Sequence, residues 1–174
     1  TDPLVEPTLP MTVSAPLLRR VLGRFYFDNN PSATTVDFSG LREVGGEYFH
    51  RGTIALDELN LTALRLVIGD MMISELYGIP VLEMDDLESI GGQATLELTS
   101  DMTLLSASVL TSVGGTLEIT RHESLADINF PSLTSVQGDL EINFNSSLTE
   151  SEICEVYDQV GEGLAGDFLS SIVC

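Results

Sequence analysis

The chain has 174 residues, 43% of them hydrophobic, and its 27 acidic against 7 basic residues leave a net charge of −20. This length and apolar content suit one domain with a sizeable core, and the lack of any apolar run of about 18 residues excludes a transmembrane helical segment. Nucleic acid is excluded as a partner, because phosphate binding needs clustered Lys and Arg and the chain has seven arginines and no lysine. The acidity fits solubility, salt-rich surroundings or a cationic partner.

Residues 1–17 contain Pro3, Pro7, Pro10 and Pro16 and read as an extended N-terminal leader and cap. They show no charged and apolar export signal. A strict repeat then begins at Leu18, with Leu41, Leu64, Leu87, Leu110 and Leu133 following at steps of 23 residues. Three places after these come Val21, Val44, Val67, Ile90, Val113 and Val136; two further on come Gly23, Gly46, Gly69, Gly92, Gly115 and Gly138. A fixed period of this size means stacked units, none able to bury its apolar face alone.

Positions two and four after the glycine are Phe25 and Phe27, Tyr48 and His50, Met71 and Ile73, Leu117 and Ile119, Leu140 and Ile142. That alternation is a strand with one buried face. Its copies recur in one sense, so they pair in parallel about 4.8 Å apart, and six coils make a rod about 29 Å long. The glycines are expected at sharp corners with positive φ. In the fourth coil Leu96 and Leu98 sit two places late, which reads as a two-residue insertion cancelled before Leu110. The predicted fold is mainly β: a short, leucine-rich-repeat-like parallel β-solenoid of about six coils over residues 18–148.

Residues 149–174 form a helical cap. Thr149 and Glu152 fit a capping box, and Ile153, Val156, Tyr157 and Val160 fall at helical spacing. A helix there covers the cut end of the core. The only cysteines are Cys154 and Cys174; pairing them would close a loop of about 20 residues and stabilise by about 3 kcal/mol. Their shared place in the cap favours a disulfide over two free thiols, and with it an oxidising, extracytoplasmic location, whether secreted, periplasmic or anchored at the cell surface.

The segments LTSVGGTLEIT from Leu110, FPSLTSVQGDLEINFNSSL from Phe130 and FYFDNNPSA from Phe25 resemble the receptor L-domain family. The resemblance covers 18–148 and is strongest in the last two coils. It implies a right-handed β-helix related to leucine-rich repeats, and recognition at a cell surface rather than catalysis.

The outward position of the repeated strand, with the two-residue slip, collects Tyr26, Phe49, Met72, Glu97, Glu118 and Glu141 into one file. Flanking files hold Arg24, Glu47, Asp70, Thr95, Thr116 and Asp139 on one side, and Asp28, Arg51, Ser74, Thr99, Thr120 and Asn143 on the other. Aromatic and arginine side chains on a rigid sheet are what a binding face is made from. The expected partner is a protein or glycan held by Tyr26, Phe49, Met72, Arg24 and Arg51 beside a ladder of Glu97, Glu118 and Glu141. The bland alternative is that these side chains stack merely to shield the sheet. A second alternative is a polysaccharide-active lyase or hydrolase using the ladder as acid and base. No catalytic residue, metal or cofactor is assigned: the two histidines, His50 and His122, lie far apart in phase, and no zinc or phosphate-loop spacing occurs. Calcium on the ladder finds no loop motif to support it. Asn60 and Asn145 each begin a glycosylation sequon.

Overall fold

The computed structural model describes residues 9–174. The first five coils each lay a strand on each of three sides, the sixth on two before the helix, and equivalent strands pair in parallel at the 23-residue step, as Leu117 does with Leu140. One side is a seven-stranded sheet made of Phe25–Asp28, Tyr48–Thr53, Met71–Leu76, Ala94–Glu97, Leu117–Thr120, Leu140–Asn143 and Phe168–Ser170 in that order. The second side carries six two-residue strands from Arg20–Val21 to Ser135–Val136. The third carries two three-stranded sheets, Met11–Ser14 with Ala33–Asp37 and Glu58–Asn60, then Val81–Glu83 with Leu104–Ser106 and Asp127–Asn129. The predicted parallel solenoid of about six coils, with one helix after it, is the fold of this chain.

The core is one continuous column. Leu41, Leu64, Leu87, Leu110 and Leu133 are buried in line, next to a second line of Val44, Val67, Ile90, Val113 and Val136. Each such side chain contributes roughly 1.5–3 kcal/mol by leaving water. A third inward file runs Phe25, Tyr48, Met71, Ala94, Leu117, Leu140 and Phe168, with the Phe25 and Tyr48 rings stacked at 5.1 Å.

The repeated glycines serve a different purpose from the one expected of them. None of the six has positive φ. From Gly46 onward close stacking excludes a side chain instead: a Cβ on Gly69 would come 2.7 Å from the carbonyl carbon of Gly46, and one on Gly138 would come 2.6 Å from the Thr116 nitrogen. The left-handed corner lies six residues further on, at Asn29, Gly52, Glu75, Leu98, Arg121 and Phe144, with φ between 53° and 70°. Only one of these is glycine. In coils two to five the residue after the corner turns inward and is buried: Thr53, Leu76, Thr99 and His122.

The third side splits between Glu58–Asn60 and Val81–Glu83, and Pro80 explains the break. At this phase the Asp57 N–H reaches Thr34 O at 2.7 Å, that of Thr103 reaches Pro80 O at 2.8 Å, and that of Ala126 reaches Thr103 O at 3.0 Å. Pro80 has no N–H to give to Asp57.

The leader beyond residue 8 is not merely an extended cover, since Met11–Ser14 pairs with Ala33–Asp37 as a strand; the expectation for 1–8 lies outside the described residues. At the other end the helix Glu150–Val160 starts with the predicted capping box: the Thr149 side chain accepts from the Glu152 N–H, and Glu152 Oε2 accepts from the Thr149 N–H at 2.7 Å. Ile153, Val156 and Val160 face the core. Cys154 and Cys174 form a disulfide, with Cα atoms 5.4 Å apart. Between them the chain does something the sequence pattern did not announce. It returns to the sheet, where Leu164 bridges Val136 and Phe168–Ser170 adds a strand beyond Leu140–Asn143.

Candidate functional site on the seven-stranded face

The strand register corrects the predicted file in the fourth coil. Thr95 pairs with Met72 on one side and Glu118 on the other, so the outward file runs Tyr26, Phe49, Met72, Thr95, Glu118, Glu141 and Leu169. No insertion occurs. Ala94 holds the inward place between Met71 and Leu117, and its small side chain hides the phase, while Leu98 sits at the left-handed corner. Glu97 accordingly belongs to the flanking file, between Ser74 and Thr120, in the place expected for Thr99. It accepts from Arg121 at 3.1 Å instead of extending a carboxylate ladder. The ladder is thus a pair, Glu118 and Glu141, and Glu118 accepts from the Thr120 hydroxyl at 3.2 Å.

At the first-coil end the aromatic part of the file is a stack. Tyr26 lies on Phe49 with ring centroids 4.2 Å apart and planes 2° from parallel. The Arg51 guanidinium stands 5.5 Å from the Phe49 centroid, within cation–π range, while bonded to Asp28 at 3.1 Å. That carboxylate holds the Arg51 pKa above its ordinary value. Phe49 is therefore only 7% exposed, covered by the Tyr26 ring and the Arg51 guanidinium. Tyr26, at 59%, is the exposed aromatic. Met72 follows, half-buried, above a depression of about 140 Å³ lined also by Glu47, Asp70, Gln93 and Thr95. The Asp70 carboxylate accepts the Gln93 N–H at 2.9 Å, and Gln93 Nε2 donates to Thr95 Oγ1 at 2.9 Å. Arg24 lies toward the outer edge of this face, 3.7 Å from Glu47. The structure thus brings Tyr26, Phe49, Met72, Arg24 and Arg51 together and leaves Glu118 and Glu141 on the far coils.

Both histidines are buried in the column. His122 Nε2 lies 3.0 Å from the Leu96 carbonyl, which can only accept, so Nδ1 is the acceptor for the Thr99 hydroxyl at 2.7 Å. His50 lies between Tyr48 Oη and Thr53 Oγ1. Burial pushes both imidazoles down to about 4, so they are neutral structural groups at neutral pH. Among the described residues no three of His, Cys, Asp and Glu converge as metal ligands, and no helix is long and apolar enough to cross a membrane.

Two features escaped the sequence reading. Where the third side splits, a cleft of about 310 Å³ opens, lined by Asp57, Glu58, Asn60, Ile79 and Glu83 among others; a proline at a ladder phase was its signal. Arg19, Arg42 and Arg65 also share one phase, linked by N–H to carbonyl bonds of 2.9 Å, so nearly half of the basic residues stand on one corner. No protein-family model, no curated protein and no solved structure matches this chain.

Proposed function

We propose that the chain is a non-enzymatic, extracytoplasmic recognition module of the receptor L-domain type, which holds a protein or glycan at a cell surface through the first-coil half of its seven-stranded face. The observation that carries this reading is the Tyr26 ring, exposed on a rigid Phe49 and Arg51 support beside the polar depression at Met72. An aromatic face with polar groups at its rim suits both sugar rings and peptide side chains. The disulfide in the cap agrees with an oxidising compartment. The competing idea of a polysaccharide-active enzyme has less support, because Glu97 stands out of line with Glu118 and Glu141 and is paired with Arg121.

The test is binding of the chain to a glycan array and to the surface of the source cells, compared with Tyr26→Ser and Met72→Ser. Both variants should melt close to the parent, since neither side chain is in the central column. Binding that falls at least tenfold in Tyr26→Ser supports the proposal. Unchanged binding overturns the choice of face, and glycan cleavage lost in Glu118→Gln overturns the choice of class.

A further inference from the structure

The first repeated glycine lacks the reason that the others have. A Cβ on Gly46 would come 3.0 Å from Gly23, one on Gly69 2.7 Å from Gly46, and one on Gly138 2.6 Å from Thr116, each blocked by the coil in front. Gly23 has nothing within 4 Å among the described residues, and its φ is not left-handed. Neither space nor conformation among the described residues calls for glycine there. A further coil stacked in front of the first would.

The far end supplies the shape of such a coil. The glycine file continues to Gly166, where a Cβ would come 2.6 Å from the carbonyl carbon of Gly138. Phe168–Ser170 then forms the last strand of the sheet whose first strand is Phe25–Asp28, and each has one edge unpaired among the described residues. Both edges carry exposed apolar side chains: Leu22 and Tyr26 at the first, Leu169 and Val173 at the last.

Charge matches the same register. Residues 18–40 hold three arginines and two acids, whereas residues 133–174 hold eight acids and no base. Phe168 stands one coil beyond Leu140, and Leu164 one coil beyond Val136. Carrying these pairings one step further puts Tyr26 of a second copy on Leu169, its Arg24 opposite Asp167 and its Arg19 opposite Glu162. Arg19 has no carboxylate within ion-pair distance among the described residues, and the partner of Arg24 stands 3.7 Å off.

We propose that copies of this chain associate head to tail, residues 161–170 of one molecule seating on the first coil of the next so that the seven-stranded sheet runs across the junction. The contact joins two different surfaces, so it does not close on itself and builds rods rather than a dimer. Unpaired parallel strand edges supply the hydrogen bonds, and exposed ion pairs make the assembly sensitive to salt. The junction covers the outer face of Tyr26, so assembly and the recognition proposed above compete for that ring.

Sedimentation velocity of the chain alone, without any binding partner, tests this separately from recognition. The weight-average mass should climb with concentration without levelling at a dimer, and should drop in high salt. Gly23→Leu should melt like the parent yet stay monomeric, and because its tail is intact it should shorten the rods of the parent when mixed in. The Arg19→Glu/Arg24→Glu and Glu162→Arg/Asp167→Arg double variants should each be monomeric alone and should assemble on mixing. A parent that stays monomeric to its solubility limit overturns the proposal. So does a closed dimer indifferent to Gly23→Leu, or a pair of charge variants that fails to assemble together.

Discussion

Asn145 holds the corner of the preceding coil around His122. Its Oδ1 accepts the His122 N–H at 3.0 Å, and its Nδ2 donates to the Ile119 carbonyl at 2.8 Å. Asn145→Ala therefore leaves the His122 N–H without its partner and takes one bond from the Ile119 carbonyl, which stays in the strand ladder, and should cost about 2 kcal/mol in chemical denaturation. Asn60, which accepts only from the N–H and hydroxyl of its near neighbour Thr62, should cost well under half as much. The two sequons separate on the same ground, since the Asn145 amide is engaged and that of Asn60 has no hydrogen-bond acceptor among the described residues.

His122 repeats the Asn145 bond one coil earlier, as its Nε2 and the Asn145 Nδ2 each reach the carbonyl 26 residues back. Its pKa and that of His50 are lowered to about 4 by burial, against an unfolded value of 6.5. The native state thus binds no proton at pH 5 to 6 while the unfolded chain does. Stability should be full above about pH 6.5 and should fall as pH drops toward about 4, by up to about 3 kcal/mol for each histidine. His122→Asn keeps a donor for the Leu96 carbonyl and should remove about half of that slope with little loss at pH 7. A wild-type melting temperature that is flat between pH 7 and pH 5 would contradict the buried neutral assignment.

The period was legible because leucine, valine and glycine each recur at one phase and each is needed wherever one coil stacks behind another. The register of the fourth coil was not, because Ala94 is a small inward residue and Leu98 an apolar corner, and both look like the opposite. The glycine phase was legible but its cause was not: a corner and a close approach demand the same residue, and only the positions of backbone atoms tell them apart. The capping box and the cysteine pair could be read from spacing alone. The return of Phe168–Ser170 to the sheet could not, since three residues carry no period of their own. On the face itself, the aromatic residues could be named from sequence, but which ring is cover and which is support depends on the stacking of Tyr26 over Phe49.

The left-handed corners give a paired prediction. An L-residue there costs roughly 1–2 kcal/mol, against roughly 0.5–1 kcal/mol of extra chain entropy lost by glycine. Gly52→Ala should destabilise by about 1 kcal/mol, helped by the 3.2 Å approach of its Cβ to the Asn29 Cα. Phe144, at φ 58° with an exposed side chain, is the reverse case. Phe144→Gly should leave the melting temperature unchanged or raise it by a few degrees. A clear drop would show that the Phe144 ring contributes packing that outweighs its backbone strain.

The cap can be separated from the column through its disulfide. Cys154 on the helix and Cys174 close a segment with a sequence separation of 20, and that segment contains both Leu164 and Phe168–Ser170. Opening it returns loop entropy to the unfolded chain, worth about 3 kcal/mol. Native contacts of the helix remain, because Ile153, Val156 and Val160 stay buried and Tyr157 still stacks on Phe168 at 4.5 Å. Cys174→Ser should therefore lower global stability by about 2–4 kcal/mol without unfolding the coils, and dithiothreitol should reproduce that loss in the parent while leaving the variant unchanged. Hydrogen exchange locates the effect: protection should fall first in residues 150–170, because the released end frays, and should persist in the strands of coils two to five. Uniform loss of protection along the chain would mean that cap and column unfold as one unit, and would turn the disulfide from a local clasp into a condition of the whole fold.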